Sequence, residues 1–501
     1  MSEAVHALAL DAIRERLDSG ELRSVDLVLA LLTRVDEIDR RGPTIRSVIE
    51  TSPDAADVAA RLDGTRRAGS HGPMRGVPVL IKDNIDTSDS MLTTAGSLAL
   101  VDSKPAEDAF VVKRLRQAGA ILLGKTNMSE WANFRSTHSS SGWSARGGQA
   151  RNPYVLDRSP CGSSSGSASA VAAGLAPVAV GTETDGSILC PAAMCGVVGI
   201  KPTVGLTSRS GVVPISHSQD TVGTFARCVA DAAAVLEVIA APDPSDEVTN
   251  DSRRWAPGAL AGRLDVDALR GARIGVARNV YFGYSAGADA VIADSLTQMG
   301  EAGAVIIDPA DIPSAGQMKD GDAELSVLLY EFKAGLNTYL KTRRGVGPST
   351  LDEVIEFNLN QSDRELAYFG QEIMVMASEK GTLDSLEYVE ALSECRHLSK
   401  EQGIDAVMTE HNLDALVMPT TGPAFTIDLV NGDHHSGASS SPAAMAGYPA
   451  VTVPAGYVRG LPIGITFMGS AFSEPTLVAL AYAFEQITRV WRPPSFMPSL
   501  S

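Results

Sequence analysis

The stretch of residues 159–211 constrains the fold of this chain more than any other. It reads SPCGSSSGSASAVAAGLAPVAVGTETDGSILCPAAMCGVVGIKPTVGLTSRSG, with two glycine-flanked serine turns on either side of a run of small apolar residues. A serine in such a turn exposes its hydroxyl and is surrounded by free backbone N–H groups. We therefore expect a nucleophile and an oxyanion hole in one short segment. The small apolar residues between the turns indicate tight packing rather than a flexible linker.

Strand-like and helix-like patterns alternate around this stretch. The apolar run at 77–81 leads into KDNID, the helical pattern VVKRLRQAG ends at Gly119, and the strand-like AILLG follows it. Later apolar segments at 413–420 and 461–469 look like partners for the same sheet. This order predicts an α/β fold in which helices enclose one large sheet.

The chain of 501 residues is long enough to bury a sizeable core. We expect a single domain over residues 1–501. Within it we distinguish an N-terminal helical arm at 1–62, a core at 77–225 and a helical insertion at 325–402.

Composition excludes several classes of function. The formal net charge of −18 argues against a nucleic-acid partner, because a nucleic-acid surface needs clustered Lys and Arg. No apolar run approaches the ~20 residues of a membrane-spanning helix, so no membrane partner is expected. The five cysteines form no CxxC pair and the eight histidines have no metal-ligand spacing. Neither a disulfide framework nor a metal site is therefore expected.

The N-terminal sequence MSEAVHALALDAIRERLDSG is typical of an amphipathic surface helix. It lacks the basic n-region and the unbroken apolar h-region of a signal peptide. A cytoplasmic protein, monomeric or homodimeric, is the expectation, although a signal peptide removed earlier would leave no trace in this sequence.

Two motifs suggest other functions. Residues 119–126, GAILLGKT, match the P-loop pattern, but a helix precedes the motif and its middle is a strand-like apolar run, which argues against a phosphate cradle. Residues 162–166, GSSSG, match the nucleophile-elbow pattern with Ser164 exposed, but no hydrophobic strand comes directly before them. A Ser-His-Asp triad remains a minor alternative, and its histidine could be any of His397, His411, His434 or His435.

Three further segments carry a resemblance to a known family. They are GVPVLIKDN with Lys82, CGSSSGS with Ser163, and GTETDGSI with Ser187. Together with GKTNMSEWAN at 124–133 and GVVGIKPTVG at 196–205, they resemble the amidase signature family. SPCGSSSGSA, GWSARGGQ and LLYEFKAGL are most similar to its peptide amidases. The resemblance implies a large twisted mixed β-sheet flanked by helices on both sides, and amide hydrolysis without metal or organic cofactor.

The resemblance also implies site residues. Ser187 would be the nucleophile, Ser163 the bridging serine on a cis peptide bond, and Lys82 the base. The oxyanion hole would consist of the backbone N–H groups of Thr184, Asp185, Gly186 and Ser187.

The chemistry of these residue types fits such roles. A serine hydroxyl must lose its proton as it attacks, and a lysine with an ordinary pKa near ~10.4 can accept that proton only if burial lowers its pKa. Lys82 ends an apolar run, which is compatible with burial. Asp83 and Asp86 would favour the charged lysine, so they must be paired or point elsewhere. Strand alternation turns Asp83 to the opposite face.

The chain departs from the general family pattern at several positions. Cys161, Ser165 and Asp185 stand where glycines are common, and the peptide amidases share these departures. Leu189 and Cys190 stand where many relatives have an arginine, which favours a neutral or hydrophobic acyl group. Three aromatic residues are candidates for a substrate groove, with core packing as the alternative: Trp131, Phe134 and Trp143.

The leading hypothesis is therefore hydrolysis of a small-molecule or peptide amide, with a C-terminal peptide amide giving the free acid and ammonia. A broad-specificity aryl- or alkyl-amidase or carbamate hydrolase is the alternative. The amidase subunit of a tRNA-dependent amidotransferase is the alternative of another class, and a binding protein with an inactive triad is a further one.

Overall fold

The computed structural model describes residues 5–65, 72–254 and 258–500. Its centre is an eleven-stranded mixed sheet, which confirms the predicted α/β fold. The strands of the chain are β1 Val48–Thr51, β2 Pro78–Lys82, β3 Ser103–Lys104, β4 Ile121–Thr126, β5 Trp143–Ser144, β6 Gly148–Gln149, β7 Val178–Glu183, β8 Val198–Lys201, β9 Thr221–Ala226, β10 Arg273–Val276, β11 Val305–Ile307, β12 Arg344–Gly345, β13 Ala415–Pro419, β14 Ala450–Val458 and β15 Leu461–Met468.

The large sheet has the strand order β1-β4-β2-β7-β9-β8-β14-β15-β13-β10-β11. Strands β4, β2 and β7 are parallel neighbours, as are β13, β10 and β11, and the strands between these groups are antiparallel. β13 and β15 pair within this sheet, as the apolar segments predict. The parallel strands β2 and β7 are buried along their whole length, which explains their continuous apolar character.

The α-helices are α1 Leu10–Ser19, α2 Ser24–Arg34, α3 Ala55–Gly64, α4 Phe110–Gln117, α5 Ser165–Ala172, α6 Leu189–Met194, α7 Val229–Ile239, α8 Ala286–Glu301, α9 Ala315–Asp320, α10 Ala323–Leu340, α11 Leu351–Asn360, α12 Ser362–Glu365, α13 Glu372–Ser378, α14 Leu386–Arg396, α15 Asp405–His411, α16 Ser441–Ala446 and α17 Glu474–Thr488. Short 3₁₀ segments lie at Val5–Ala7, Leu98–Leu100, Glu130–Asn133, Glu247–Arg254 and Ala261–Arg263, and π segments at Val35–Arg41 and His397–Ile404.

Helices cover both faces of the sheet. On one face Thr224 of β9 donates to the carbonyl of Ala232 in α7 at 2.9 Å. The next residue, Phe225, points to the opposite face, where its ring lies close to Gly181 of β7. Helix α5 packs on that second face against β7 and β9. The sheet core is therefore enclosed between two helical layers.

Helices α10 to α14 occupy the segment 325–402, where the helical insertion is expected. Helix α10 contacts the segment that follows β2, where the Tyr339 hydroxyl donates to Asp86 Oδ1 at 2.7 Å. The N-terminal arm contains α1 to α3, and residues 1–4 of it lie outside the described residues. The division into arm, core and insertion stays a prediction. A search of the described residues for a helix long and apolar enough to cross a membrane finds none.

Candidate active site

Lys82 is the last residue of β2, and its side chain is completely buried. The ammonium nitrogen lies 2.7 Å from Ser163 Oγ, 2.8 Å from Thr182 Oγ1 and 3.3 Å from the Thr182 carbonyl oxygen. Thr182 belongs to β7, the parallel neighbour of β2. Lys82 is thus surrounded by hydroxyls and a carbonyl at the carboxyl ends of two central strands.

Burial lowers the pKa of Lys82 to about 7, and the carboxyl groups of Asp220 and Glu183 act in the opposite direction. Asp83 and Asp86 are both paired elsewhere, and for Asp83 the alternation of β2 predicts this. Asp83 Oδ1 lies 3.0 Å from an Arg146 nitrogen, and Asp86 accepts a hydrogen bond from a tyrosine. A lysine with a pKa near 7 is neutral in a large fraction of molecules at neutral pH, as a base requires.

Ser163 lies in the turn before α5 and is only 1% exposed. The peptide bond between Gly162 and Ser163 is cis. The carbonyl of Ser163 accepts a hydrogen bond from the N–H of Ser129 at 3.1 Å. Gly162 is required here, because a Cβ would lie 2.1 Å from Ser129 Oγ.

Ser187 lies in the turn between β7 and α6, and Gly186 supplies its positive φ of +75°. Ile188 and Leu189 direct their N–H groups back to the Glu183 carboxylate at 2.7 and 2.9 Å. Within the described part of the chain, no acceptor is present for four successive backbone N–H groups, those of Thr184, Asp185, Gly186 and Ser187. Unpaired backbone N–H groups of this kind are the donors from which an oxyanion hole can be built.

A cavity of about 460 Å³ opens at this turn. Thr184, Asp185, Gly186 and Ser187 form one part of its wall. Ser163 and Lys82 are not lining residues, but Gly162, which precedes Ser163, is one. The lining residues are Ala132, Asn133, Phe134, Ser141, Cys161, Gly162, Thr184, Asp185, Gly186, Ser187, Cys190, Ile215, Leu328, His435, Ala438, Ser440 and Ser441. The cavity is large enough for a small amide or for the end of a peptide.

Two of the four predicted substrate-binding residues, Phe134 and Cys190, line this cavity, and two do not. Trp143 is 5% exposed and its ring packs edge-on against Phe369 at 5.2 Å. Trp131 is 2% exposed and belongs to a buried apolar cluster. For both tryptophans the core-packing interpretation therefore describes the structure, and the predicted aromatic groove is corrected to Phe134 alone.

The expectation of no disulfide is wrong. Cys161 and Cys190 form a disulfide although they are 29 residues apart in sequence. Cys161 lies in the first serine turn and Cys190 in α6, directly after the second. Their pairing cannot be recognised from spacing, because the fold alone brings these segments together. His435 lies beside this disulfide, with Nε2 3.8 Å from Cys190 Sγ and 3.1 Å from Thr421 Oγ1.

Asp220 is a functional candidate that was not predicted from the sequence. Its Oδ1 accepts from the Thr184 hydroxyl at 2.6 Å, and its Oδ2 accepts from the N–H groups of Ile215 and Ser216 at 2.9 Å each. Burial raises the pKa of Asp220 to about 6. Asp220 therefore binds the turn that carries Ser187 through Thr184, and its carboxyl group also raises the pKa of Lys82. No local sequence motif marks this residue.

The two misleading motifs have structural roles. Lys125 of the P-loop-like sequence lies in β4 and donates to the Ile85 carbonyl and to Thr93 Oγ1. Ser164 of the elbow-like sequence is buried, and its hydroxyl donates to the Thr182 carbonyl at 3.0 Å. Of the four candidate histidines, His435 is the one in the cavity wall.

Comparison with known sequences identifies the class of protein to which this fold and this site belong. The sequence matches the Amidase family over residues 26–478, and the chain belongs to this amidase signature family of amide-hydrolysing enzymes. A probable amidase of Arabidopsis thaliana is 41% identical over 99% of this chain and 92% of its own length. The resemblance proposed from the sequence is thus confirmed.

Solved structures match over almost the whole chain. The native peptide amidase from Stenotrophomonas maltophilia is 50% identical with a TM-score of 0.92, and a peptide amidase in complex with the competitive inhibitor chymostatin is 51% identical with a TM-score of 0.94. Each comparison covers 98% of this chain and 99% of the other. A glutamyl-tRNA(Gln) amidotransferase subunit of Roseiflexus castenholzii is 34% identical over 97% of this chain and 96% of its own length.

Proposed function

We propose that this enzyme hydrolyses C-terminal peptide amides to the free acid and ammonia, with Ser187 as nucleophile, Ser163 as proton relay and Lys82 as base. The observation that carries the proposal is the 2.7 Å contact between Lys82 Nζ and Ser163 Oγ, made by a lysine whose pKa burial lowers to about 7. Such a base needs neither a histidine nor a metal ion.

The reaction begins when neutral Lys82 accepts the Ser163 proton and Ser163 accepts the proton of Ser187. The Ser187 oxygen then attacks the amide carbon, and the four N–H groups of residues 184–187 stabilise the oxyanion. The same relay returns a proton to the leaving nitrogen, which departs as ammonia and leaves an acyl-enzyme on Ser187. A water molecule, deprotonated by the same relay, hydrolyses the acyl-enzyme.

The composition of the cavity wall supports a peptide amide as substrate. No Lys or Arg is among the described residues that line the cavity, so a carboxylate on the acyl group would have no counter-charge there. Leu189 and Cys190 stand where an arginine would recognise such an acid. Two solved neighbours are peptide amidases, and one of them is in complex with chymostatin, a competitive inhibitor.

Labelling and substrate choice test the proposal together. We expect a fluorophosphonate probe to label Ser187, with labelling lost in Ser187→Ala. We expect ammonia release from an amidated dipeptide to exceed release of aniline from the matching anilide. Equal or greater anilide turnover would favour the broad aryl- and alkyl-amidase or carbamate hydrolase instead.

A second candidate is the amidase subunit of a tRNA-dependent amidotransferase. The similarity of nearly the whole chain to a glutamyl-tRNA(Gln) amidotransferase subunit supports it. This function requires glutaminase activity that appears only with partner subunits. Turnover of an amidated dipeptide by the isolated chain, with no glutaminase activity even when partner subunits are added, would exclude it.

A further inference from the structure

Two acceptor oxygens at the cavity wall lack a hydrogen-bond donor among the described residues. They are Asp185 Oδ1 and Asn133 Oδ1, and both atoms are buried. The other polar atom of each side chain is engaged, since Asp185 Oδ2 accepts from Ser441 Oγ at 2.7 Å and Asn133 Nδ2 donates to Ser141 Oγ at 3.2 Å. Each side chain is thus held in place with one acceptor left open.

An open buried acceptor is costly, and a ligand that brings a donor removes that cost. The same wall also carries the free N–H donors of residues 184–187, which suit the oxygen of a carboxamide. The wall is therefore complementary to a substrate that offers one oxygen and, close to it, an additional N–H group. A peptide amide has this pattern, because the backbone N–H of its last residue is two covalent bonds from the scissile carbonyl carbon.

Charge makes Asp185 the stronger of the two acceptors. Among the lining residues that the structure describes, Asp185 is the only carboxylate, and no lysine or arginine competes for it. The remaining titratable side chain of this wall is His435, whose pKa burial lowers, so it is neutral at neutral pH. A hydrogen bond from a substrate N–H to this carboxylate would be charge-assisted.

We propose that Asp185 is a substrate-binding residue whose carboxylate accepts a hydrogen bond from the backbone N–H of the residue bearing the scissile carboxamide. This inference rests on the proposed function. Asp185 lies two residues before Ser187 in the same turn, and both residues line the cavity that the substrate would enter. Asp185 thereby selects α-acylamino amides over simple alkyl or aryl amides.

Replacement of one substrate atom tests this role. N-acetylalaninamide carries the N–H, whereas its isostere 2-acetoxypropanamide has an ester oxygen in that place. The kcat/KM value for each of the two substrates is measured from ammonia release with the wild type, Asp185→Asn and Asp185→Ala. We expect the wild type to prefer the N–H substrate by about 10- to 100-fold, the range of a hydrogen bond to a charged group.

The ratio of the two kcat/KM values, rather than activity itself, reports the contact. In Asp185→Ala the preference should fall to within about threefold, and in Asp185→Asn it should be intermediate because the amide oxygen still accepts. Ser441→Ala removes the donor that holds the other carboxylate oxygen but leaves the carboxylate itself, so this variant should keep a preference greater than that of Asp185→Ala. If Asp185→Ala no longer reacts with a fluorophosphonate, Asp185→Asn decides the question by the same ratio.

Two results would overturn the proposal, and they differ in what else they reject. Equal turnover of both substrates by the wild type, or an unchanged preference in the Asp185 variants, would reject the role of Asp185 and leave the peptide amidase function intact. Failure of the labelled, folded wild type to release ammonia from either compound would reject the proposed function as well.

Discussion

Two buried lysines on neighbouring parallel strands differ in what surrounds them. Lys82 ends β2 and Lys125 lies near the end of β4, and neither side chain is exposed. Burial lowers the pKa of Lys82 to about 7 and that of Lys125 to about 8. The loss of hydration alone therefore does not distinguish them.

Their partners do distinguish them. Lys82 contacts the hydroxyls of Ser163 and Thr182, which can carry a proton onward. Lys125 binds a backbone carbonyl and the Thr93 hydroxyl, neither of which belongs to the cavity wall or to a serine turn. Carboxyl groups favour the charged form of both lysines, so they do not separate the two. A lowered pKa becomes a catalytic property only where a proton path leads from the amine to a reacting group.

The largest effect is expected from Lys82→Met. This variant keeps the side-chain volume but removes the base, so kcat/KM for an amidated dipeptide should fall by about 10⁴-fold, as for loss of a triad member. Wild-type kcat/KM should rise with pH through about 7, where Lys82 becomes neutral. Lys125→Met, assayed in parallel, should keep activity within about tenfold. Comparable losses of kcat/KM in Lys82→Met and Lys125→Met would contradict a catalytic role that belongs to Lys82 alone.

The Cys161–Cys190 disulfide gives the next largest effect. It tethers the Ser163 turn to the helix that follows Ser187. Cys161→Ser with Cys190→Ser, or treatment with dithiothreitol, should lower kcat/KM by about 10- to 100-fold, the cost of a displacement near 1 Å between reacting groups. Cys195→Ala is the control, because it removes a buried free thiol. Full activity after verified reduction would show that packing alone positions the serines.

Asp220 offers a smaller and more specific test. Asp220→Asn removes a charge that raises the pKa of Lys82, so the acid limb of the kcat/KM profile should move below pH 7. The weaker acceptor for Thr184 should also lower kcat by about tenfold. Asp86→Asn is the matched control, because Asp86 raises the pKa of Lys125. This variant should leave the acid limb near pH 7. An unmoved limb in Asp220→Asn would mean that the limb does not report Lys82.

The sequence predicted the sheet, the family and the end of β2 because each leaves a local signal. Continuous apolar runs mark buried parallel strands, and glycine-flanked serines mark tight turns. The catalytic roles of Lys82, Ser163 and Ser187 stay predictions. The disulfide, the bond between Asp220 and Thr184, and the burial of Trp143 could not be predicted, since each depends on distant segments that meet only in the fold.

The smallest effect on activity, and the opposite effect on stability, is expected at Lys125. Lys125→Met removes the donor of the two short hydrogen bonds to the Ile85 carbonyl and the Thr93 hydroxyl, and the donors that remain to them lie at 3.3 and 3.4 Å. It also removes a positive charge near the buried Asp86 carboxyl group, so thermal unfolding should show a loss of about 1–3 kcal/mol. Lys82→Met should be as stable as the wild type or more so, because burial disfavours the charged amine and the Thr182 hydroxyl and carbonyl keep donors at 3.0 Å from Asn84 and Ser164. The folded-state pKa of Lys82 lies below its unfolded value, so the wild type is penalised fully below pH 7 and less as pH rises towards ~10.4. The advantage of Lys82→Met over the wild type should therefore be greatest at low pH and shrink above neutrality. An equal loss of stability in both variants would mean that Lys82, like Lys125, is retained to hold the fold together.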